Sequence, residues 1–151
     1  YPGKKLFSFL KHIDNLEKKL YLPSHEIVPC HNDLLPENIL LVNDQIFIVD
    51  FDYSGNNDAF FELGNLSVEM NFNELQIIEL INCYFGKINE KYISRVYLQG
   101  IVSDIGWSLW CFVQEKISNL NFDYKTQAYN RLERAKNKLD SPEFKLWNKY
   151  I

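Results

Sequence analysis

A short segment in the first third of the sequence constrains the fold most, because it predicts a β-hairpin inside an otherwise helical chain. Residues 38–42 and 45–49 are two short apolar runs, rich in β-branched side chains and joined by a polar Asn-Asp pair. Such runs around a tight polar joint are typical of a hairpin. The second run leads into Asp50. An acidic residue at the end of an apolar strand suggests that its carboxylate has a binding role. A loop rich in Gly and Asn is expected to follow at residues 54–58.

The rest of the sequence predicts helices. Residues 4–20 place apolar side chains at three- and four-residue steps, which is typical of an amphipathic helix. Asn73, followed three positions later by Gln76, has the pattern of a capping box at a helix start. Helices are expected at residues 4–20, 58–70, 73–85, 90–118 and 124–139, with a short one after Ser141-Pro142. Gly100 and Gly106 are candidate breaks or bends in the longest of them.

Composition limits the class of protein. At 151 residues the chain has the length of one domain, and its 46% hydrophobic and 15% aromatic content predicts a packed core. A net charge of −4 without a Lys/Arg cluster argues against nucleic acid as a partner. No apolar run approaches the ~18–20 residues that span a bilayer, so membrane insertion is not expected. Three widely spaced cysteines, Cys30, Cys83 and Cys111, indicate reduced thiols and a cytoplasmic location rather than disulfides or a zinc site.

Residues 31–38 carry the densest chemistry and are expected to form an irregular loop before the hairpin. Pro36 argues against a helix in this loop. The loop holds the carboxylate of Asp33 and the amide of Asn38, and the hairpin should bring Asp50 close to both. Phosphoryl transfer needs a carboxylate that orients and deprotonates a hydroxyl, next to oxygen ligands for Mg²⁺. These three side chains can supply both.

Several motifs in the sequence are similar to those of known enzymes. The spacing H-x-D-x-x-x-x-N, followed by D-F-D, resembles the catalytic and metal-binding loops of protein-kinase-like enzymes. The longer stretches CHNDLLPENILL at 30–41 and VDFDY at 49–53 resemble choline/ethanolamine kinases, especially their bacterial branch, and the related aminoglycoside phosphotransferases. The pattern W-x-L-W-x-x-x-Q at 107–114, with the tyrosine at 124, resembles choline kinases and is not expected in aminoglycoside phosphotransferases.

This resemblance implies a fold and a reaction. The fold would be α+β and mainly α, the C-terminal lobe of a protein-kinase-like fold, with helices around a small hairpin that carries the catalytic and metal loops. The reaction would use ATP as co-substrate, Mg²⁺ as cofactor and a small amino alcohol such as choline as acceptor. Asp33 would be the catalytic base, while Asn38 and Asp50 would hold Mg²⁺. Structural support of the catalytic loop is implied for His31, Asp52 and Glu62, the last standing where the family usually has an aspartate.

The same resemblance implies a pocket for a cationic head group. A quaternary ammonium has no N–H to donate, so its recognition depends on aromatic faces and nearby carboxylates. Trp107 and Trp110 are three residues apart and share one helix face. The implied substrate-binding residues are Asp33, Tyr53, Glu69, Trp107, Trp110 and Tyr124. Glu74 and Gln127 stand where eukaryotic members carry aromatic residues, so the choice between choline and ethanolamine stays open.

The sequence contains no G-x-G-x-x-G loop and no strand lysine with a partnering helix glutamate, which protein-kinase-like enzymes use to grip ATP. We therefore expect residues 1–151 to form only the C-terminal catalytic and substrate lobe, without the protein's own N-terminal ATP-binding lobe, and to have negligible kinase activity alone. The basic run at residues 131–138 is interpreted as a solvated helix face. Two alternatives remain: another small-molecule kinase of the superfamily, such as an aminoglycoside kinase, and a non-catalytic choline-binding pseudo-kinase module.

Overall fold

The computed structural model describes residues 3–21 and 26–151, which form six α-helices and four short strands. The helices are α1 (Gly3–Leu20), α2 (Ala59–Glu69), α3 (Glu74–Phe85), α4 (Glu90–Ile117), α5 (Tyr124–Leu139) and α6 (Pro142–Lys149). The strands are β1 (Val28–Cys30), β2 (Ile39–Val42), β3 (Gln45–Ile48) and β4 (Gly55–Asn57). The mainly helical α+β class predicted from the sequence is confirmed.

Helices α2 to α5 each begin at a side chain that accepts a hydrogen bond from a backbone N–H of the first turn. Asp58 accepts such a bond at the start of α2, at 2.8 Å. Asn73 and Gln76 form the predicted capping box, in which each side chain accepts from the other residue's backbone N–H. Asn89 and Asp123 cap α4 and α5 in the same way. Polar residues at these positions therefore set where the helices begin.

Helix α4 is one continuous helix of 28 residues, so it is not broken at Gly100 or Gly106, where the sequence predicted a break or a bend. Gly100 lies instead where α4 crosses α2, opposite Gly64. A Cβ atom added to Gly64 would meet the backbone N of Gly100 at 2.6 Å. The two glycines allow the backbones of α2 and α4 to approach closely, and this fixes the position of α2.

Helix α4 is also the centre of the core, since it packs against every other described helix. One apolar cluster joins it to α1 and α5, and a second joins it to α2 and α3. The buried members are Phe9, Leu16, Leu20, Leu98, Ile101, Ile105, Leu132, Ala135 and Leu139 in the first cluster and Leu63, Ile77, Ile81 and Val96 in the second.

The length and mean hydropathy of α4 would by themselves suffice to cross a bilayer, which corrects the expectation that no segment approaches that length. In the structure, 56% of its most apolar window is buried inside the domain. The helix also carries Arg95 and Asp104, both buried and both in ion pairs with other elements. These are the features of a core helix.

Two antiparallel two-stranded sheets hold the loops of the candidate site. Strand β2 pairs with β3, with Ile39 opposite Ile48, which confirms the predicted hairpin. Strand β1 pairs with β4, so the prediction that residues 55–57 belong to a loop is wrong. Gly and Asn have low β-propensity, and this stretch is a strand because β1 lies beside it and because Asn57 Nδ2 donates to Asn32 Oδ1 at 2.8 Å.

The hairpin exposes apolar side chains on both of its faces. All four residues of β3 and three of the four in β2 are exposed. Leu41 is 72% exposed and Ile46 is 69% exposed. We call this the hairpin surface; it consists of Leu40, Leu41, Val42, Ile46, Phe47 and Ile48. An exposed apolar area of this kind is a candidate interaction surface.

Candidate active site

The loop that follows β1 is anchored by α2. Glu62 accepts hydrogen bonds from the backbone N–H groups of His31 and Asn32, at 2.6 and 2.8 Å, one on each carboxylate oxygen. Asn65, one turn further along α2, accepts from the backbone N–H of Leu34 at 2.9 Å. Hydrogen bonds to an ionised carboxylate are stronger than neutral ones. The structure thus places Glu62 at the anchoring position that the family resemblance implied.

His31 joins this loop to the segment that carries Asp50. Its Nδ1 accepts from the backbone N–H of Asp33 at 3.3 Å, so Nε2 holds the ring proton and donates to the carbonyl of Val49 at 2.9 Å. The buried ring also packs against Phe51, with 4.7 Å between the ring centroids. His31 therefore holds the two loops at a fixed separation.

Asp33 is a buried carboxylate with free lone pairs. The residue is 8% exposed, and its side chain accepts no hydrogen bond from residues 3–21 or 26–151. Burial raises the pKa of Asp33, and the negative charges of Glu69 and Asp50 add to the increase, while the positive charge of Arg131 opposes it. A carboxylate with a raised pKa and unoccupied oxygens is suited to accept a proton.

Asn38 is buried directly beside the Asp33 segment. Its side-chain Nδ2 donates to the carbonyl of Asp33 at 2.9 Å, and its own carbonyl accepts from the backbone N–H of Val49 at 3.0 Å. Val49 is therefore opposite Asn38 in the hairpin, and Asp50 is the next residue along the chain. Pro36 opens a one-turn 3₁₀ helix over Pro36–Asn38, where the sequence predicted an irregular loop.

Asn38 and Asp50 present oxygens that fit Mg²⁺. Within the described part of the chain, neither Asn38 Oδ1 nor the carboxylate of Asp50 has a hydrogen-bond or ion-pair partner. Asp50 has a φ of 64°, a left-handed conformation that Asp tolerates better than most residues. Among the described residues no group of three His, Cys, Asp or Glu side chains could hold a metal. Mg²⁺ commonly takes one or two protein oxygens and completes its shell with phosphate and water, so this donor set fits it.

A cavity of about 600 Å³ lies beside Asp33. Its walls bring together the two acidic loops and the aromatic residues of α4 and α5. The lining residues are Asp33, Leu35, Asp50, Asp52, Tyr53, Trp107, Trp110, Cys111, Leu120, Phe122, Tyr124, Gln127 and Arg131. Of the substrate-binding residues implied by the resemblance, all but Glu69 are in this set.

Tyr53, Trp107, Trp110 and Tyr124 form one aromatic cup in the cavity. The ring centroids are 5.1 Å apart for Tyr53 and Trp107, 5.6 Å for Trp107 and Trp110, and 5.8 Å for Trp110 and Tyr124, all edge to face. Trp110 Nε1 donates to the hydroxyl of Tyr53 at 2.8 Å, and the hydroxyl of Tyr124 lies 3.2 Å from Ser118 Oγ. These contacts hold the rings in place for cation–π contact with a ligand.

Glu69 does not line the cavity. Its carboxylate is bound by the guanidinium of Arg131 through two hydrogen bonds, Nη1 to Oε1 and Nη2 to Oε2, the second at 3.1 Å. Arg131 itself is among the lining residues. The cavity wall at this point is therefore the arginine, with the glutamate behind it.

The interpretation of residues 131–138 as a solvated helix face is wrong. The side chains of Arg131 and Lys138 are only 15% and 25% exposed. Arg134 Nε donates to Asp104 at 2.8 Å, and Lys138 Nζ lies 3.6 Å from the same carboxylate, which is fully buried. Glu69 and Asp104 on α2 and α4 are buried acids that need cationic partners, and α5 supplies them.

From the sequence, Gln127 is noted only as a position where eukaryotic members carry an aromatic residue, and Arg131 is interpreted as part of a solvated helix face. Tyr124, Gln127 and Arg131 recur at steps of three and four residues and lie on one face of α5. Extending the face of Tyr124 along the helix could have identified both. For Cys111 and Leu120 we see no sequence signal, since each is an ordinary apolar residue in its segment.

Comparison with known proteins assigns the family. The family model described as choline/ethanolamine kinase matches residues 4–99 of the chain. The chain belongs to the choline/ethanolamine kinase family. A similar member is LicA of Haemophilus influenzae, which is 32% identical over 114 residues, a match that covers 71% of this chain and 42% of that protein.

Solved structures of the same family share this fold. The crystal structure of a choline/ethanolamine kinase family protein from Mesorhizobium loti matches with a TM-score of 0.87 and 32% identity, covering 99% of this chain and 51% of that one. The structure of the choline kinase LicA from Streptococcus pneumoniae matches with a TM-score of 0.66 and 25% identity, covering 92% and 48% respectively. The chain thus spans about half of these family members, and the predicted family and fold are confirmed.

Proposed function

We propose that the chain forms the catalytic and substrate-binding lobe of a kinase that transfers the γ-phosphate of ATP to the hydroxyl of choline or a related amino alcohol. The observation that carries this proposal is that the unpaired carboxylate of Asp33 and the aromatic cup line one cavity. Membership of the choline/ethanolamine kinase family and the similarity to a choline kinase support the same reaction.

Asp33 is the group that receives the proton. As the substrate oxygen forms its bond to the γ-phosphorus and the bond to ADP breaks, the hydroxyl proton moves to the Asp33 carboxylate. The aromatic cup holds the cationic head group, with about 0.5–2 kcal/mol for each cation–π contact. Binding the head group at one side of the cavity places the hydroxyl at the other side, near Asp33.

Asn38 and Asp50 would hold Mg²⁺ through the side-chain oxygens that have no protein partner. The ion supplies positive charge next to the phosphate oxygens, where charge builds up during transfer. His31 and Glu62 keep the loops of Asp33 and Asp50 in register through the hydrogen bonds described above. Asp52 lines the same wall of the cavity and is assigned an outer position at the metal.

We also propose that ATP is clamped between this chain and the protein's own N-terminal lobe, and that the lobe described here has negligible activity alone. The exposed apolar hairpin surface next to the metal loop supports this arrangement. So does the length of H. influenzae LicA, since the match covers only 42% of it.

A cytoplasmic location is proposed from the state of the cysteines. Cys30, Cys83 and Cys111 are all free thiols. Burial raises the pKa of Cys30 to about 11, which keeps this thiol protonated and unreactive. Reduced cysteines are ordinary in the cytoplasm.

The test is phosphorylation of a substrate panel by the full-length protein with Mg-ATP, using choline, ethanolamine and an aminoglycoside. Asp33→Ala should lower turnover by about 10²–10⁴-fold, because the proton acceptor is removed. Asp44→Asn, in the exposed turn of the hairpin, is the matched control and should retain activity. Circular dichroism checks that both variants fold.

Other outcomes would contradict the proposal. Near-normal turnover of Asp33→Ala would remove Asp33 from the role of base. Preference for the aminoglycoside would favour a different kinase of the superfamily. Choline binding without turnover in the full-length protein would favour a pseudo-kinase module.

A further inference from the structure

Both oxygens of the Glu69 carboxylate accept hydrogen bonds from Arg131. The guanidinium donates to both oxygens, so the pair has the bidentate geometry that Arg forms with carboxylates. The side chain of Glu69 is 9% exposed and that of Arg131 is 15% exposed. Arg131 lines the cavity and Glu69 does not. A ligand in the aromatic cup therefore meets the guanidinium and not the carboxylate.

The surrounding charges hold this pair in place. Arg134 lies 3.6 Å from Glu69 and also binds Asp104, which in turn lies 3.6 Å from Lys138. A ligand that displaced Arg131 would leave a buried guanidinium without its partner, at a cost that exceeds the gain from one new contact. The network therefore keeps the carboxylate of Glu69 away from the ligand.

Head groups differ in how much they need that carboxylate. A primary ammonium brings three N–H donors that must find acceptors when it leaves water, whereas a quaternary ammonium brings none. In the aromatic cup the indole N–H of Trp110 and the hydroxyl of Tyr53 are bonded to each other, and the hydroxyl of Tyr124 is paired with Ser118. Asp33, Asp50 and Asp52 are committed to the hydroxyl and the metal in the proposed function, which leaves the amide oxygen of Gln127 as a lining acceptor for one of the three N–H donors.

We propose that Arg131 makes the cavity selective for a quaternary ammonium head group, by withholding the Glu69 carboxylate that a primary ammonium would require. The aromatic faces stabilise the charge of either head group, but only the quaternary one is left without unmet donors. This inference rests on the proposed function and adds to it the residue that sets the substrate class.

The test is the ratio of kcat/KM for choline and for ethanolamine, measured with N-methyl- and N,N-dimethylethanolamine as intermediate steps. The full-length protein should prefer choline by about tenfold or more, since one unmet donor costs about that factor. Arg131→Met frees Glu69 and should lower the ratio by about tenfold. Arg131→Lys, whose ammonium cannot span both oxygens, should give an intermediate ratio.

Two variants separate selectivity from simple loss of stability. Arg134→Met removes a cation from the same network, but Arg134 does not line the cavity, so the ratio should stay at the wild-type value. The double variant Glu69→Gln with Arg131→Met removes the freed carboxylate together with the guanidinium, and should return the ratio to the choline side. It also avoids an unpaired buried charge, so it tests the inference even where Arg131→Met does not fold.

Binding of the head groups alone keeps this test independent of catalysis. Calorimetry with tetramethylammonium and methylammonium should show the same preference and the same response to Arg131→Met. The inference is overturned by equal or reversed preference in the wild type, by an unchanged ratio in Arg131→Met, by a similar shift in Arg134→Met, or by binding of neither ion. Failure to phosphorylate any amino alcohol contradicts the proposed function instead, and calorimetry then decides the selectivity.

Discussion

The ionised carboxylate of Asp33 opposes the stability of the fold that holds it. Burial raises its pKa, so the folded state holds the proton more tightly than the unfolded chain does. Below the ordinary aspartate pKa both states are protonated and no penalty exists. As the pH rises through the pKa of the folded state, the protein loses stability relative to one with a neutral side chain at this position.

Asp33→Asn should therefore be more stable than the wild type at pH 7. The difference in the free energy of unfolding, measured by urea titration, should shrink as the pH falls towards the ordinary aspartate range of about 3.5–4. Asp44→Asn, an exposed change of the same kind, should show no such difference. A less stable Asp33→Asn at pH 7 would mean that the carboxylate has a stabilising partner, contrary to its environment in the structure.

At the residue scale, the spacing of residues in the sequence predicts well which side chains of neighbouring loops lie close together. It predicts charge pairs between distant segments poorly. Asp33, Asn38 and Asp50 lie in two loops joined by a hairpin, so their proximity follows from short-range chain geometry. Glu69 and Arg131 are 62 positions apart, and their pairing depends on how α2 and α5 each pack against α4. The sequence therefore predicts Glu69 as a ligand of the substrate and gives no sign that Arg131 covers it.

Among the elements, the crossing of α2 and α4 has the strictest requirement. A Cβ on Gly64 would lie 2.6 Å from the N of Gly100, 2.8 Å from the O of Val96 and 2.9 Å from the C of Gln99. All three are backbone atoms, so no side-chain rotation can relieve the contact. Helix α2 also carries Glu62, so a shift at this crossing moves the residue that anchors the loop of Asp33.

Gly64→Ala should destabilise the protein by about 1–3 kcal/mol or more, because overpacking exceeds the gain of ~0.5–1 kcal/mol in helix propensity. It should also lower kinase turnover in the full-length protein. The matched control is Gly106→Ala in α4, where an added Cβ meets nothing within 4 Å, and this change should stabilise the fold slightly. Equal melting temperatures for the two variants would show that the helix backbones separate without cost.

Elements with strong local signals are the ones that the sequence predicts. Capping residues such as Asp58 and Asn73 mark helix starts in their own segments, and the predicted starts agree with the structure. Strand β4 has no such signal, because its Gly-Asn-Asn sequence becomes a strand only through pairing with β1. The break predicted at Gly100 fails for a similar reason. Glycine weakens a helix by itself, but here that effect is offset by the close contact of α4 with α2.

For the whole molecule, the distribution of apolar surface is uneven. The core clusters are buried between helices that pack around α4, whereas the side chains of the hairpin surface are exposed. Asp50, the proposed metal ligand, follows the end of β3 by two residues, so the hairpin surface is close in sequence to the proposed nucleotide site. The proposed N-terminal lobe would cover this surface and complete the clamp on ATP.

The double variant Leu41→Lys with Ile46→Lys tests this arrangement. In the 151-residue chain both side chains are largely exposed, so two lysines should change the free energy of unfolding by less than about 0.5 kcal/mol each. In the full-length protein the same lysines would have to be buried against the N-terminal lobe without partners, so kinase turnover and melting temperature should both fall. Leu75→Lys on α3, at a site that is 76% exposed and distant from the hairpin in sequence, is the control and should have no effect in either form. Full kinase activity of the double variant, or measurable ATP-dependent phosphorylation by the 151-residue chain alone, would contradict a nucleotide clamp built from two lobes.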